Sequence, residues 1–215
     1  MIRSLIWDFD GMLFDSYPHM IEAMRRALAD FGVTTDCGAL FAPMKQSVST
    51  ACRTFLPETA VDGDLNRRLF ERYQLYEAPE NPPEVRPYPG VPELLRAVCA
   101  DGRRNLVYSH RGETLYRYLD RYGLRDCFSG FVTEDMHFPH KPAPDAILCL
   151  IDSCGLDPAE TMMLGDREID VQSGHNAGVL GCLFDEFGML PESVADFRIR
   201  RHDELYDLLG LPRLG

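Results

Sequence analysis

From about residue 91 onward the chain alternates between helix-like and strand-like segments, and that alternation limits the fold more than any other feature. Helical spacing over Val91–Asp101 precedes an apolar run at Asn105–Tyr108. The same order recurs three times: Glu113–Tyr122 before Gly130–Thr133, Pro144–Cys154 before Met162–Leu164, and Val171–Ala177 before Val179–Phe184. Short apolar runs separated by amphipathic helices pack as parallel strands, because a parallel neighbour needs a crossover long enough to hold a helix. The chain opens with one more such run, Leu5-Ile6-Trp7, which reads as a buried strand. The expectation is an α/β fold with a Rossmann-like, doubly wound parallel sheet.

A helical stretch interrupts this pattern. Ile21, Met24, Leu28 and Phe31 recur at helical spacing. Further helices are expected at Val48–Phe55 and Leu65–Tyr76, and no strand is expected between residues 34 and 78. Five prolines between Pro79 and Gly90 exclude a helix there and read as a stiff linker. The predicted organisation is a core domain of residues 1–15 and 80–215 with a small α-helical domain, 16–79, inserted after the first strand.

A formal net charge of −12 excludes the basic surface that a nucleic-acid or anionic-membrane partner requires. Any phosphate-bearing ligand must therefore be met by locally concentrated positive charge. The seven cysteines form no CxxC pair and read as free thiols of a reducing, cytoplasmic compartment. No run suits a signal peptide or a membrane span. Either a monomer or a homodimer is compatible with the acidic surface.

In open parallel sheets, ligands bind beyond the carboxyl ends of the strands. Asp8 and Asp10 follow the first strand, Ser109-His110-Arg111 follow the Asn105–Tyr108 strand, and Gly165-Asp166 with Asp170 follow Met162–Leu164. Lys141 lies in a loop before a helix. Carboxylates gathered at one edge repel one another unless a hard cation sits among them. One of them can instead serve as a nucleophile toward phosphorus, while an ammonium and a hydroxyl hold the phosphoryl oxygens. Gly11 allows a tight turn that can bring backbone N–H groups to a phosphate.

Asp8-Phe9-Asp10-Gly11, Ser109, Lys141-Pro142 and Gly165-Asp166 through Asp170 stand in the order of the four motifs of the haloacid dehalogenase (HAD) superfamily, and the chain resembles that family over nearly its whole length. The helical insertion is similar to the cap of subclass I members of the phosphoglycolate phosphatase-like and β-phosphoglucomutase-like branch. The resemblance implies an Mg2+-dependent phosphatase that hydrolyses a small phosphorylated metabolite through an aspartyl-phosphate intermediate. It casts Asp8 as nucleophile and Asp10 as general acid and base, with Ser109 and Lys141 gripping the phosphoryl group. It implies Asp8, Asp10 (through its carbonyl), Asp166 and Asp170 as the metal site. Gly11, His110 and Arg111 are further substrate-binding candidates, Arg111 as an anion contact or a surface ion pair. Lys45, expected between two cap helices, is a candidate for reading the leaving group.

Four alternatives are weighed against this. A phosphomutase of the β-phosphoglucomutase type would carry a histidine where this chain has Met20, and Glu-Asp where it has Gly165-Asp166. A dehalogenase would lack Asp10. A phosphonate hydrolase would need a Schiff-base lysine, for which Lys45 is the cap's candidate. A non-catalytic phosphate-binding protein would show a degraded motif, and none of the four is degraded.

Overall fold

The structure is a computed structural model that describes residues 1–59, 62–77 and 85–213. The chain begins with β1 (Ser4–Trp7) and passes through the two-residue strand β2 (Phe14–Asp15) into four helices: α1 (Tyr17–Asp30), α2 (Cys37–Gln46), α3 (Val48–Phe55) and α4 (Leu65–Glu77). After β3 (Arg86–Pro87) the elements alternate: α5 (Val91–Ala100), β4 (Arg104–Tyr108), α6 (Thr114–Arg121), β5 (Phe128–Val132), α7 (Asp145–Cys154), β6 (Thr161–Gly165), α8 (Glu168–Asn176), β7 (Leu180–Phe184), β8 (Phe197–Ile199) and α9 (Glu204–Leu209). Residues 79–84 of the expected proline linker, and with them the expected boundary at 79/80, lie outside the described residues.

Two compact units result. One comprises Met1–Phe14 and Pro87–Gly215, the other Asp15–Arg86. The first unit is the α/β fold that the alternation calls for. Its six strands lie in the order β5-β4-β1-β6-β7-β8, and every pairing among them is parallel. The chain builds outward from β1 through β4 to β5, then returns to the other side of β1 for β6, β7 and β8. The order therefore reverses between β1 and β6, which is where an open α/β sheet places its ligand crevice. β1 and β6 are buried along their whole length, which explains why both read as unbroken apolar runs. Asn105 of β4 is a buried polar residue in this layer. Its side chain accepts from the Trp7 indole N–H at 2.9 Å and donates to the Leu95 carbonyl at 3.1 Å, so its burial leaves no unmet polar group.

Register brings the strand ends together. Trp7 lies opposite Val107 on one side and Leu164 on the other. Asp8, Ser109 and Asp166 thus follow three adjacent strands at one edge of the sheet. The Asp8 N–H still donates to the Leu164 carbonyl at 2.8 Å, which carries the ladder as far as the first carboxylate.

Among the described residues, the regular elements of the second unit are helices, apart from its terminal strand residues and an isolated bridge between Thr59 and Asp62. Tyr17, Ile21, Met24 and Leu28 of α1 form a buried stripe that meets Leu40 and Met44 of α2, Cys52 of α3, and Leu69 and Tyr73 of α4. Full burial of side chains such as Met24 and Leu28 contributes about 1.5–3 kcal/mol each. The sequence reading takes the stretch from about 34 to 78 as helical but names no separate helix at α2, and Pro43 inside it accounts for that. It starts where the Asp36 carboxylate accepts the Ala39 N–H at 2.9 Å, an N-cap that supports an otherwise weak helix. All seven cysteines are free thiols. Among the described residues no helix is long and apolar enough to cross a membrane.

Candidate active site

Beyond the β1 and β6 edge, Asp8, Asp166 and Asp170 each offer a carboxylate oxygen within 4.8 Å of the other two. All three residues are buried. Asp8 and Asp166 arrive on strand ends, whereas Asp170 arrives on the first turn of α8. Its Oδ2 accepts the Arg167 N–H at 2.9 Å and so caps that helix. Capping and site geometry thus use opposite oxygens of one carboxylate, because Oδ1 of Asp170 faces Lys141 Nζ at 2.8 Å. Gly165 makes this possible. A Cβ at that position would lie 2.3 Å from the Cβ of Asp170, so any side chain there would displace the carboxylate.

Lys141 reaches the same point from its loop. Its Nζ donates to Asp8 Oδ1 at 2.6 Å and to the Tyr108 carbonyl at 3.1 Å, and it sits 4.4 Å from the centre of the Tyr108 ring. The side chains of Lys141 and Asp8 are 0% and 2% exposed. Burial alone would lower the lysine's pKa, but the Asp170 and Asp8 carboxylates outweigh it and the net shift is upward. Asp170 also ends below its ordinary value, since Lys141 and Arg167 together overcome the opposing effect of burial. Asp8 behaves oppositely. Burial pushes its carboxyl up to about 7, Lys141 opposes that rise, and the Asp170 charge adds to it. The two carboxylates compete for one ammonium, and Asp170, which also accepts a backbone N–H, holds its charge more readily.

The Arg167 guanidinium adds distant positive charge, its Nε lying 4.0 Å from Asp166 and 3.8 Å from Asp170. The three buried carboxylates form a set of hard oxygen donors that could hold a metal ion. Oδ2 of Asp8 supports that fit. It is buried and accepts no hydrogen bond among the described residues, and a coordinating cation would satisfy it.

The remaining sequence candidates occupy distinct surroundings. Ser109 is buried at the end of β4, where its hydroxyl accepts the Arg111 N–H at 3.1 Å. His110 Nε2 accepts the Lys141 N–H at 3.2 Å, and its ring packs against His140 at 4.5 Å. Burial, with Lys141 adding to it, pushes His110 down to about 3, so it supports the lysine loop as a neutral ring. Gly11 has φ +79°, and its N–H donates to the Phe14 carbonyl at 2.9 Å. That N–H closes the turn after Asp10. Asp10 stands outside the three-carboxylate group and is bound by Arg111, with Nη2 2.8 Å from Oδ1. Arg111 is therefore no surface pair, being 7% exposed. Lys45 lies in the last turn of α2, with Nζ 5.5 Å from the centre of the Tyr17 ring. Sequence reasoning named Asp10 and Arg111 separately and missed their pairing, because no local signal joins residues 101 positions apart.

Comparison with known proteins identifies the family. The profile of the haloacid dehalogenase-like hydrolases matches residues 5–183. The chain is 30% identical to a phosphoglycolate phosphatase of Agrobacterium fabrum over 81% of its own length and 76% of the relative's. It is 26% identical to a phosphoglycolate phosphatase of Aquifex aeolicus over 97% of both chains. Among solved structures, a HAD-superfamily hydrolase of subfamily IA from Geobacter sulfurreducens superposes with a TM-score of 0.69 at 22% identity, covering 97% of each chain. The chain belongs to the haloacid dehalogenase-like hydrolases.

Proposed function

We propose that this hydrolase is an Mg2+-dependent phosphatase that cleaves the phosphate monoester of a small metabolite by way of an aspartyl-phosphate on Asp8, with phosphoglycolate the first substrate to try. The observation that carries the reading is Lys141 Nζ placed between Asp8 and Asp170 in a buried group that also holds Asp166. Mg2+, held by Asp8, Asp166 and the Asp10 carbonyl with Asp170 assisting, would offset the charge of the phosphoryl oxygens.

The protein's own groups account for the rest of the reaction. An oxygen of Asp8 attacks phosphorus while Lys141 and Ser109 hold the non-bridging oxygens. Asp10 protonates the departing alcohol oxygen and then takes a proton from the attacking water. His110 and the Gly11 turn shape the loops that carry Lys141 and Asp10, and Lys45 is proposed to read the leaving group. A cytoplasmic location accompanies this reading. The mutase alternative gains no support at Gly165, where a glutamate would collide with Asp170.

The test is phosphate release with Mg2+ from a panel of phosphorylated metabolites, phosphoglycolate included, by wild type and by Asp8→Asn. Asp8→Asn is expected to lose at least about 10⁴-fold in kcat while still folding, as its circular dichroism should show. Appreciable turnover by that variant, with deamidation excluded, removes Asp8 as nucleophile.

A further inference from the structure

The Asp10–Arg111 pair joins two strand-end loops. Arg111 Nη2 donates to Asp10 Oδ1 at 2.8 Å, and Nε lies 3.2 Å from each carboxylate oxygen. The guanidinium is the more deeply held partner: the Arg111 side chain is 6% exposed, the Asp10 side chain 20%. The Phe9 and Tyr118 ring centres both lie 5.6 Å from its Cζ, and Nη1 reaches the Thr114 hydroxyl at 3.5 Å. Its backbone N–H is tied to Ser109. A guanidinium packed against two rings is costly to strip of its counter-ion, and its planar fork fixes the plane of the carboxylate that it grips. Arg111 is thus the fixed member, and it sets which way Asp10 faces.

We infer that Arg111 is a positioning residue for Asp10 and serves the second half of the reaction, in which Asp10 accepts a proton from water. This rests on the phosphatase reading above. In the first half, the Asp8 oxygen bonds to phosphorus, the phosphorus–alcohol oxygen bond breaks, and the Asp10 proton passes to the alcohol. Asp10 is left as an anion, the form that a guanidinium binds through both oxygens. In the second half, the water oxygen bonds to phosphorus, the Asp8–phosphorus bond breaks, and a water proton passes to Asp10. A carboxylate held by Arg111 is already turned to receive it.

The experiment uses p-nitrophenyl phosphate with Mg2+. Its nitrophenolate leaves without protonation, so kcat/KM reports phosphorylation of Asp8 alone. Arg111→Met is expected to lower kcat by about 10²-fold, the scale of a lost general base. KM should fall in parallel, keeping kcat/KM within about twofold of wild type. A burst of nitrophenolate should precede the slow phase, and acid quenching should trap Asp8 in its phosphorylated form. Arg111→Lys, which keeps the charge but not the fork, should show the same split with a smaller loss, and it decides the matter if Arg111→Met does not fold. In an Asp10→Asn background, Arg111→Met should change nothing further.

A raised KM with kcat/KM falling as far as kcat, and no burst, would make Arg111 a substrate contact and overturn the inference. Multiplying losses in the double variant would do the same. Wild type that releases phosphate while both Arg111 variants keep full kcat defeats this inference alone. Wild type inactive on every ester defeats the phosphatase reading and this inference with it.

Discussion

The two units use the same charged residue types to opposite effect. In the helical unit, Arg67 pairs with Asp64 and Glu71 along one face of α4, and Arg72 pairs with Asp30. The Arg67 and Asp64 side chains are 57% and 64% exposed. Water screens such pairs and solvates each partner well when it is alone, so little depends on any one of them. In the α/β unit, Lys141 and the three carboxylates are withdrawn from water. Each charge there depends on its neighbours, so removing one group changes the protonation and position of the rest. The lesson is that counting ion pairs says nothing of their consequence until burial is known.

That contrast can be attacked most strongly at Lys141. Lys141→Met should cost about 10³-fold or more in kcat, measured as phosphate release, because it removes both a phosphoryl contact and the cation between Asp8 and Asp170. Gly165→Ala tests packing with no change of charge. Its Cβ must push Asp170 away, and a displacement on the order of 1 Å should cost about 10²-fold in kcat. A variant with wild-type kcat would show that Asp170's position is not critical.

A third test lies in the α/β unit but away from the carboxylates. His202 is buried against Tyr88 and Phe184 and bonds the Met12 carbonyl at 2.7 Å. Burial pushes it from 6.5 down to about 4. Between those values the unfolded chain takes up a proton that the folded chain refuses. The stability that comes from keeping this ring neutral is therefore complete above pH 6.5 and is lost as pH falls toward 4. Urea unfolding of wild type should lose about 2 kcal/mol more than His202→Gln on going from pH 7 to pH 5. Equal losses would show that the ring titrates normally. The smallest effect belongs to the exposed pairs: Arg67→Ala should leave both the urea midpoint and kcat unchanged within measurement, and a clear loss would break the comparison from its other side.

Much of the fold was legible because it follows from local pattern. The unbroken apolar runs around Leu5-Ile6-Trp7 and Met162–Leu164 became the buried strands β1 and β6. The expected helix at Val48–Phe55 has those bounds in α3. Strand β8 and helix α9 were not legible. β8 is a three-residue strand with two exposed positions, and α9 is six residues long, too short for a period to show. At the site, Asp8 and Asp166 stood out as carboxylates just after apolar strands, and Lys141 as the lysine of a Lys-Pro segment in a loop before a helix. The direction in which Arg111 points was not readable, since a basic residue two places after Ser109 suits a ligand, a surface or a neighbouring loop equally.

The sequence by itself determined which chemical groups stand at the strand ends, because an unbroken apolar run and a helical crossover are local properties of the chain. Tertiary structure alone decided how those groups divide their charges: Lys141 between Asp8 and Asp170, and Arg111 committed to Asp10. The physical reason is that hydrogen-bond partners and exclusion of water depend on what distant segments bring to the same point, and no single segment carries that information.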